Sequence, residues 1–463
     1  MHKIFYLTLL PLLGVANVTV PSTGSDLKIT IYNNNKAFIN DTREVEVQAG
    51  KHKLIYEGVP SSVITESVVP TFSGMQTNLY SQNYIYDLVS LASMLEKSID
   101  KEVAFYSNEK EPTLSKGILL SASPNAMIKE NGTGKIYTLN SATQVIFDKV
   151  PDNMITKPSL VWNMENEKEG KLGIDLKYLT RGITWKSDYV LNLKKDVLDL
   201  TGWITVNNNS GVAYENAQIT CLAGEVNSVP RRDNRVYSKQ RVYEEAMPMM
   251  AMDAMEEESF SGYHIYKIPF RETIKNKEQK QISFIDKKDI KYHQYGESIN
   301  SNFENYGEQK LEFSNMLEFE NKKENNLGVS LPSGIVRMYQ KDSTEETHFI
   351  GESRVHNIPE DENVTLTVGT LFDAVGEKSI TKFKAKKHYR NVETTYNIRN
   401  QGKEPLELKI AENIPFYGND TTVKTSCKDN CSVKKKNAFV REFTIKLKAK
   451  ETYEFTSEFE VNY

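Results

Sequence analysis

The stretch Arg441-Glu-Phe-Thr-Ile-Lys-Leu447, followed by Tyr453-Glu-Phe-Thr-Ser-Glu-Phe-Glu-Val461, decides the fold class. Phe443, Ile445 and Leu447, then Tyr453, Phe455, Phe459 and Val461, are separated by polar residues. Successive side chains on an extended strand point to opposite faces, so a period of two buries one face and wets the other. Upstream, Tyr389, Val392, Tyr396, Ile398, Leu406, Leu408 and Ile410 continue the pattern. Residues 383–463 are therefore expected to form a carboxyl-terminal sandwich of immunoglobulin-like size.

The same period extends toward the amino terminus. Leu172, Ile174, Leu176 and Tyr178 alternate, then Tyr189, Leu191 and Leu193, then Leu198-Asp-Leu-Thr-Gly-Trp-Ile-Thr-Val206. These place a second β-sandwich region over 160–382. Two polar stretches without periodicity, 228–261 and 275–326, read as insertions or long loops within it. Leu27, Ile29 and Ile31, Val45 and Val47, and Leu54 and Tyr56 predict short antiparallel strands in a small β-domain over 25–80. Leu88, Leu91, Ala92, Leu95 and Ile99 recur at three and four, the stripe of an amphipathic helix, with Ser81 or Asn83 available as its cap. Short apolar runs from Glu102 to Phe147 then suggest a small SH3-like barrel, making 84–155 a helix plus barrel, because strands this short leave edges exposed unless the sheet curls. The expected fold is mainly β and multi-domain: β-sandwich domains, a small SH3-like barrel and one short amphipathic helix.

Composition narrows the function. Across 463 residues, 58 Lys and Arg stand against 62 Asp and Glu, a net charge of -4, and the basic residues are interspersed with acidic ones. No nucleic-acid partner is expected from such a surface. Met1-His-Lys precedes an apolar run from Ile4 to Val15, with Gly14 and Ala16 at the small-residue positions of a cleavage site. Residues 1–16 read as a secretory signal peptide whose removal leaves Asn17 first. No later stretch is long and apolar enough for a transmembrane helix in the mature chain. Cys427 and Cys431 flank the polar turn Lys-Asp-Asn, a spacing that permits a disulfide in an oxidising compartment if the chain folds back. Cys221 lies in an apolar segment and is expected to be a buried thiol.

Several ordered motifs carry a family resemblance. They are Thr180-Arg-Gly-Ile-Thr-Trp-Lys-Ser-Asp-Tyr189, Gly202-Trp-Ile-Thr-Val-Asn-Asn-Asn-Ser-Gly211, Glu215-Asn-Ala-Gln-Ile-Thr-Cys-Leu-Ala-Gly-Glu-Val226, and the run from Leu331-Pro-Ser-Gly-Ile-Val-Arg-Met-Tyr339 through Phe349-Ile-Gly-Glu-Ser-Arg-Val-His-Asn357 to Glu377. Together they resemble the bacterial family called domain of unknown function 4139, relatives of the mucoidy inhibitor A proteins, over about residues 160–463. The resemblance implies a bacterial protein and supplies no activity.

Within that run, Arg337, Glu352, Arg354, His356, Asp373 and Glu377 form a candidate polar cluster. A histidine with two carboxylates suits a metal or acid–base chemistry. The competing expectation is structural: Arg337 pairs with a carboxylate on a neighbouring strand, and Gly334, Gly351, Gly369 and Gly376 serve turns. Met249, Met252 and Met255 sit at a three-residue spacing in a Met-rich acidic stretch and are candidate soft ligands for Cu(I). Asp361-Glu-Asn363-Val-Thr365 resembles the extended bacterial N-glycosylation sequon. No Gly-x-Ser-x-Gly, His-Glu-x-x-His, Walker or dinucleotide motif is present, so neither catalytic nor cofactor-binding residues are assigned and no cofactor is expected. The expected function is that of a non-catalytic β-sandwich module, exported to the periplasm or cell surface, presenting loops and edges to an envelope protein or polysaccharide. The alternative is an envelope hydrolase acting on polysaccharide through scattered carboxylates, and a weaker one is Cu(I) binding.

Overall fold

A strand with one apolar face is stable only when something covers that face. The computed structural model describes residues 17–22, 26–106, 113–123, 125–138, 144–151, 154–224, 256–260, 263–303, 307–414 and 420–462. Strands dominate, and the sheets form sandwiches without a closed barrel among the described residues, the mainly β architecture expected. The described residues divide into two compact units, one within Met1–Trp185, Asn207–Val226 and Ile265–Lys280, the other within Lys186–Val206, Asn227–His264 and Gln281–Tyr463. The signal-peptide segment 1–16 lies outside the described residues, as does the expected insertion 228–261 apart from the strand Glu256–Phe260.

In the first unit, Lys36–Val47 pairs along its length with Gly170–Arg181 on one side and with Asp26–Tyr32 on the other. Tyr214–Ala223 joins Asp26–Tyr32 in parallel. A further sheet runs Asn17–Val20, Gly50–Glu57, Ser159–Asn166, Thr77–Ile85. Trp162, fully buried, packs 5.4 Å from Tyr56 and edge-on to Phe72 at 5.7 Å, and its indole N–H donates to Gln82 at 2.7 Å. Both sheets thus join residues before 80 to residues after 159, so the expected self-standing domain over 25–80 and the break at 160 are not what forms. Two-residue alternation marks a strand but says nothing of its partner.

The helix is shorter than expected. It spans Leu91–Glu96, capped by the Ser90 hydroxyl, which accepts from the Ser93 N–H at 3.1 Å. Ser81 and Asn83 belong instead to the strand Thr77–Ile85. Of the predicted stripe only Leu95 is buried, where it joins Val103, Phe105, Leu119 and Ile128. The strands beyond it form an open sheet in the order Ile136–Thr138, Met127–Glu130, Leu114–Ser121, Glu102–Tyr106, Val145–Ile146. No barrel closes among the described residues. The edges are blunted by brevity, since the end strands are three and two residues long.

The second unit contains three sheets. One runs Glu278–Lys291, Val197–Asn208, Ile183–Leu193, Gly334–Lys341, Thr347–Val355. A six-stranded sheet runs Asn363–Thr370, Ser314–Glu320, His293–Asn300, Leu406–Asn413, Val440–Leu447, Cys431–Lys435, and a five-stranded sheet runs Glu308–Leu311, Ala374–Lys386, Tyr389–Asn400, Thr452–Asn462, Asp420–Thr425. The expected insertion 275–326 is therefore sheet, with Ile282, Ile285, Ile290, Tyr295, Leu317 and Phe319 buried. His293–Asn300 lies parallel to Leu406–Asn413 within the terminal sandwich, and the expected boundary at 382/383 falls inside the strand Ala374–Lys386. The stacked rings of Tyr396 and Phe455, 4.9 Å apart, and Phe443, 5.1 Å from Phe455, centre its core.

That core also buries charge. Glu412 is fully inaccessible and accepts hydrogen bonds from the Tyr396 hydroxyl and from Ser457 at 2.8 Å. Asn300 donates to the same tyrosine at 2.6 Å and accepts from Lys378. Burial raises the Glu412 carboxyl above its ordinary 4.5, against the opposing effect of its hydroxyl donors and of Lys378. A carboxyl with a raised folded-state pKa holds its proton longer in the folded chain, so its contribution to stability falls as pH rises from 4.5 through the raised value. Glu412→Gln should remove that loss. The variant's stability relative to wild type, measured by chemical denaturation at several pH values between about 4 and 8, is expected to improve as pH rises, and a pH-independent difference would refute the buried carboxyl's role.

Candidate functional site

The motifs that carry the family resemblance meet where Ile183–Leu193 runs parallel to Gly334–Lys341, Ser187 opposite Gly334 and Val190 opposite Arg337. On the buried face, Ser187 donates to the carbonyls of Pro332 at 3.1 Å and Ser333 at 2.8 Å, and the Tyr189 hydroxyl donates to Pro332 at 2.7 Å. A Cβ on Gly334 would collide with the Ser187 carbonyl, and one on Gly351 with that of Val368. Gly334, Gly351, Gly369 and Gly376 all lie in strands, not in the turns expected. For Gly334, Gly351 and Gly376 the reason is close packing, the last against Phe313 and Leu311.

On the opposite face of the same strand, Asp188 is 5% exposed. Its carboxylate accepts from Thr205 at 2.9 Å, from Arg337 at 3.3 Å and from Lys186 at 3.4 Å. Arg337 also reaches Glu352, 3.8 Å away on the next strand, as cross-strand register allows. Four charged side chains and a hydroxyl thus satisfy one another. A carboxylate whose two oxygens are both taken by cations and a hydroxyl is poorly placed to abstract a proton.

The remaining members of the predicted cluster are elsewhere. Glu377 lies in the five-stranded sheet, bound by both terminal nitrogens of Arg399 at 3.0 and 2.5 Å, and that guanidinium holds its carboxyl below the usual range. Asp373 is exposed, and its backbone carbonyl accepts from the Gln401 N–H at 2.7 Å. Arg354 and His356 are exposed at the end of Thr347–Val355 and just beyond it. The six residues do not converge on one site.

Asp342, Glu346 and His348 do lie close together on the exposed hairpin after Gly334–Lys341. Their arrangement is a turn lock: Asp342 accepts from the Thr344 hydroxyl at 2.6 Å, the Thr344 N–H at 2.7 Å and the Glu346 N–H at 3.1 Å, and faces His348 at 2.8 Å. Cys427 and Cys431 are disulfide-linked, their Cα atoms 5.1 Å apart. Cys221 is a buried free thiol that burial pushes well above its ordinary value, leaving it inert as a nucleophile. Asn363 begins a strand, exposed, and donates to Glu318 at 3.1 Å. Met249, Met252 and Met255 lie outside the described residues.

Sequence reasoning missed a cavity of about 500 Å³ in the first unit. Along Lys36–Val47 the odd positions face inward, and two of them are Asp41 and Arg43. Arg43 donates twice to Asp41, at 3.2 and 2.5 Å, and to the carbonyls of Pro21 at 2.9 Å and Glu57 at 2.7 Å, while its guanidinium covers the Tyr56 ring at 4.0 Å. Tyr178 and Tyr214 also line the cavity, each 2% exposed, and burial raises both phenols. The Tyr214 hydroxyl is itself inaccessible, and the Ser210 and Thr180 side chains beside it act against burial on its titration. The only sequence signal was a charged pair at i, i+2 on a face otherwise apolar.

The parallel seam is the place to test the structural account of the motifs. Arg337→Ala leaves Asp188 with Lys186 and Thr205 and should cost about 1–2 kcal/mol, because Arg337 is itself one-third exposed. Gly334→Ala should cost about 1–3 kcal/mol by forcing the strands apart. Chemical denaturation reads both, and a Gly334→Ala loss below about 0.5 kcal/mol would show that the strands are not in tight contact. No curated protein matches the chain. The family model for the domain of unknown function (DUF4139) matches residues 174–463, which contain both halves of this seam and more than half of the chain. The chain belongs to that family.

Proposed function

We propose that the protein is exported and acts in the bacterial envelope as a non-catalytic β-sandwich module, offering loops and sheet edges to an envelope protein or polysaccharide. The observation that carries this reading is how the family motifs spend their polar residues. Asp188, Arg337, Glu352, Glu377 and Arg399 are committed to one another across strands, and the glycines to close strand contact. Such motifs hold a frame. The six-stranded sheet ends on Cys431–Lys435, where Val433 is exposed, and this edge suits strand addition.

Export is supported by the apolar run after Met1-His-Lys and by the linked pair Cys427–Cys431, since disulfides persist in oxidising compartments. Fractionation of the producing bacterium with sequencing of the mature amino terminus checks this directly. The expected result is a chain starting at Asn17 outside the cytosol, with Cys427 and Cys431 protected from thiol alkylation and Cys221 reactive only after unfolding. An uncleaved cytosolic chain with all three thiols reduced would end the proposal, and turnover of a polysaccharide that is lost in Glu352→Gln would end its non-catalytic part.

A further inference from the structure

A sheet keeps an open edge unless another element hydrogen-bonds to it. The six-stranded sheet ends on one side at Asn363–Thr370 and on the other at Cys431–Lys435. The first end is closely approached, since a Cβ on Gly351 would strike the Val368 carbonyl. Cys431–Lys435 has Val440–Leu447 on one side and no strand on the other among the described residues. The Lys436 N–H donates to the Val440 carbonyl at 3.0 Å and the Lys446 N–H to the Asn430 carbonyl at 2.8 Å, so the even-numbered residues pair with Val440–Leu447. In an antiparallel ladder the residues between them turn their N–H and C=O groups the other way, here those of Val433 and Lys435.

The side chains along this edge are chemically one-sided. Val433 stands opposite the buried Phe443, on the face that packs the core, yet is 43% exposed. The apolar face thus runs past its cover. From Lys424 to Lys436 the chain carries five lysines and one acidic residue, in a protein of net charge -4. Lys436 pairs with Glu442 at 3.0 Å, whereas Lys428, Lys434 and Lys435 are exposed and make no ion pair among the described residues. The disulfide to Cys427 fixes the start of the strand, with Cys431 itself buried in the core. An edge held in place beforehand has less ordering to lose when a partner binds.

Charge separates the occupants such an edge could take. A second copy of the chain would bring lysine against lysine, and edge lysines guard against that pairing. An acidic strand meets the reverse situation: its backbone extends the ladder, an apolar residue covers Val433, and its carboxylates face lysines that have no other partner. We propose that the Cys431–Lys435 edge docks an extended acidic peptide segment by strand addition, with carboxylates opposite Lys434 and Lys435 and an apolar side chain opposite Val433. This rests on the reading of the protein as a display frame and names its partner. An uncleaved cytosolic chain would end that reading and leave the peptide affinity standing, while absent peptide binding would end this one alone.

The test is fluorescence polarisation of the labelled peptide Thr-Glu-Glu-Val-Glu-Glu-Thr, which reads the same in both directions, against the purified, disulfide-bonded full chain. Saturable binding is expected, at least about tenfold tighter than that of Thr-Lys-Lys-Val-Lys-Lys-Thr and about fivefold weaker at about 500 mM salt than at about 50 mM. Combining Lys434→Glu with Lys435→Glu should reverse the preference between the two peptides. Val433→Pro leaves the charge unchanged and is tolerated where the N–H faces outward from an edge, and it should weaken the acidic peptide at least about tenfold. Methylating every amide nitrogen of that peptide, which keeps its charge and removes its donors, should do the same. Thermal melts of both variants should match the parent. The proposal is overturned if the acidic and basic peptides bind alike, or if the methylated peptide binds as tightly as the parent peptide. It is also overturned if dextran sulfate displaces the peptide and binds the Val433→Pro chain undiminished, which would mark a site for anions held by charge alone. Self-association of the chain that Val433→Pro abolishes would assign the edge to a second copy instead.

Discussion

The second unit depends on one long-range constraint: Ile183–Leu193 must find Gly334–Lys341 and lie parallel beside it. A parallel pair cannot be closed by a tight turn, and the hydrogen bond from Ser187 to Pro332 joins residues 145 apart in sequence. Everything between them has to leave the sheet and return. Val197–Asn208 and Glu278–Lys291 return on one side of Ile183–Leu193, and Ser314–Glu320 is carried into the six-stranded sheet, where Leu317 and Phe319 close the core shared with Tyr189, Leu191, Val336 and Met338. His293–Asn300 beside Leu406–Asn413, and Asp26–Tyr32 beside Tyr214–Ala223, repeat the device. Such non-local pairings must be assembled before they contribute, which slows folding more than it limits stability.

This explains which features were legible in the sequence. Phe443, Ile445, Leu447 and Phe455 announce strands with a buried face, and all four are buried. Partnership is invisible to a two-residue period, so the parallel pairs and the sharing of sheets across residues 80 and 160 were not foreseen. The segment 275–326 lacks a legible period because its burial pattern is irregular: Ile282, Ile285 and Ile290 go inward at uneven spacing among lysines and aspartates. The helix was overextended for the opposite reason. Leu88, Leu91 and Ile99 have helical spacing, but Leu88 is engaged in an isolated bridge to Ile155, and residues 97–100 turn away.

At the candidate site, a cross-strand ion pair for Arg337 could be anticipated from its strand-like setting, and its partner Glu352 was among the residues singled out. The closer contact, Asp188, stands 149 residues away and could be assigned only by the fold. Asp41 and Arg43 were harder still. Charged residues at i, i+2 look like a wet face, and here that face is the inner one, continuing from Ala37 and Ile39. A carboxylate and a guanidinium that neutralise each other are the one form in which charge is readily hidden, so the polarity that marks a surface in most strands marked a cavity floor in this one.

These buried polar groups do something that apolar alternation cannot. Sliding one strand past another by two residues restores the same inward face, so Leu191 and Leu193 would still point into the core after a slip of about 6–7 Å. The polar contacts are not periodic in this way. A slip of that size separates Asp188 from Arg337, takes the Ser187 and Tyr189 hydroxyls away from the Pro332 carbonyl, and puts Val336 where only Gly334 fits against Ser187. Hydrophobic burial decides which face of each strand goes inward, and the ionic and hydroxyl contacts decide how far along its neighbour it sits. At this seam the arginine, aspartate and glycine of the family motifs therefore act as register marks.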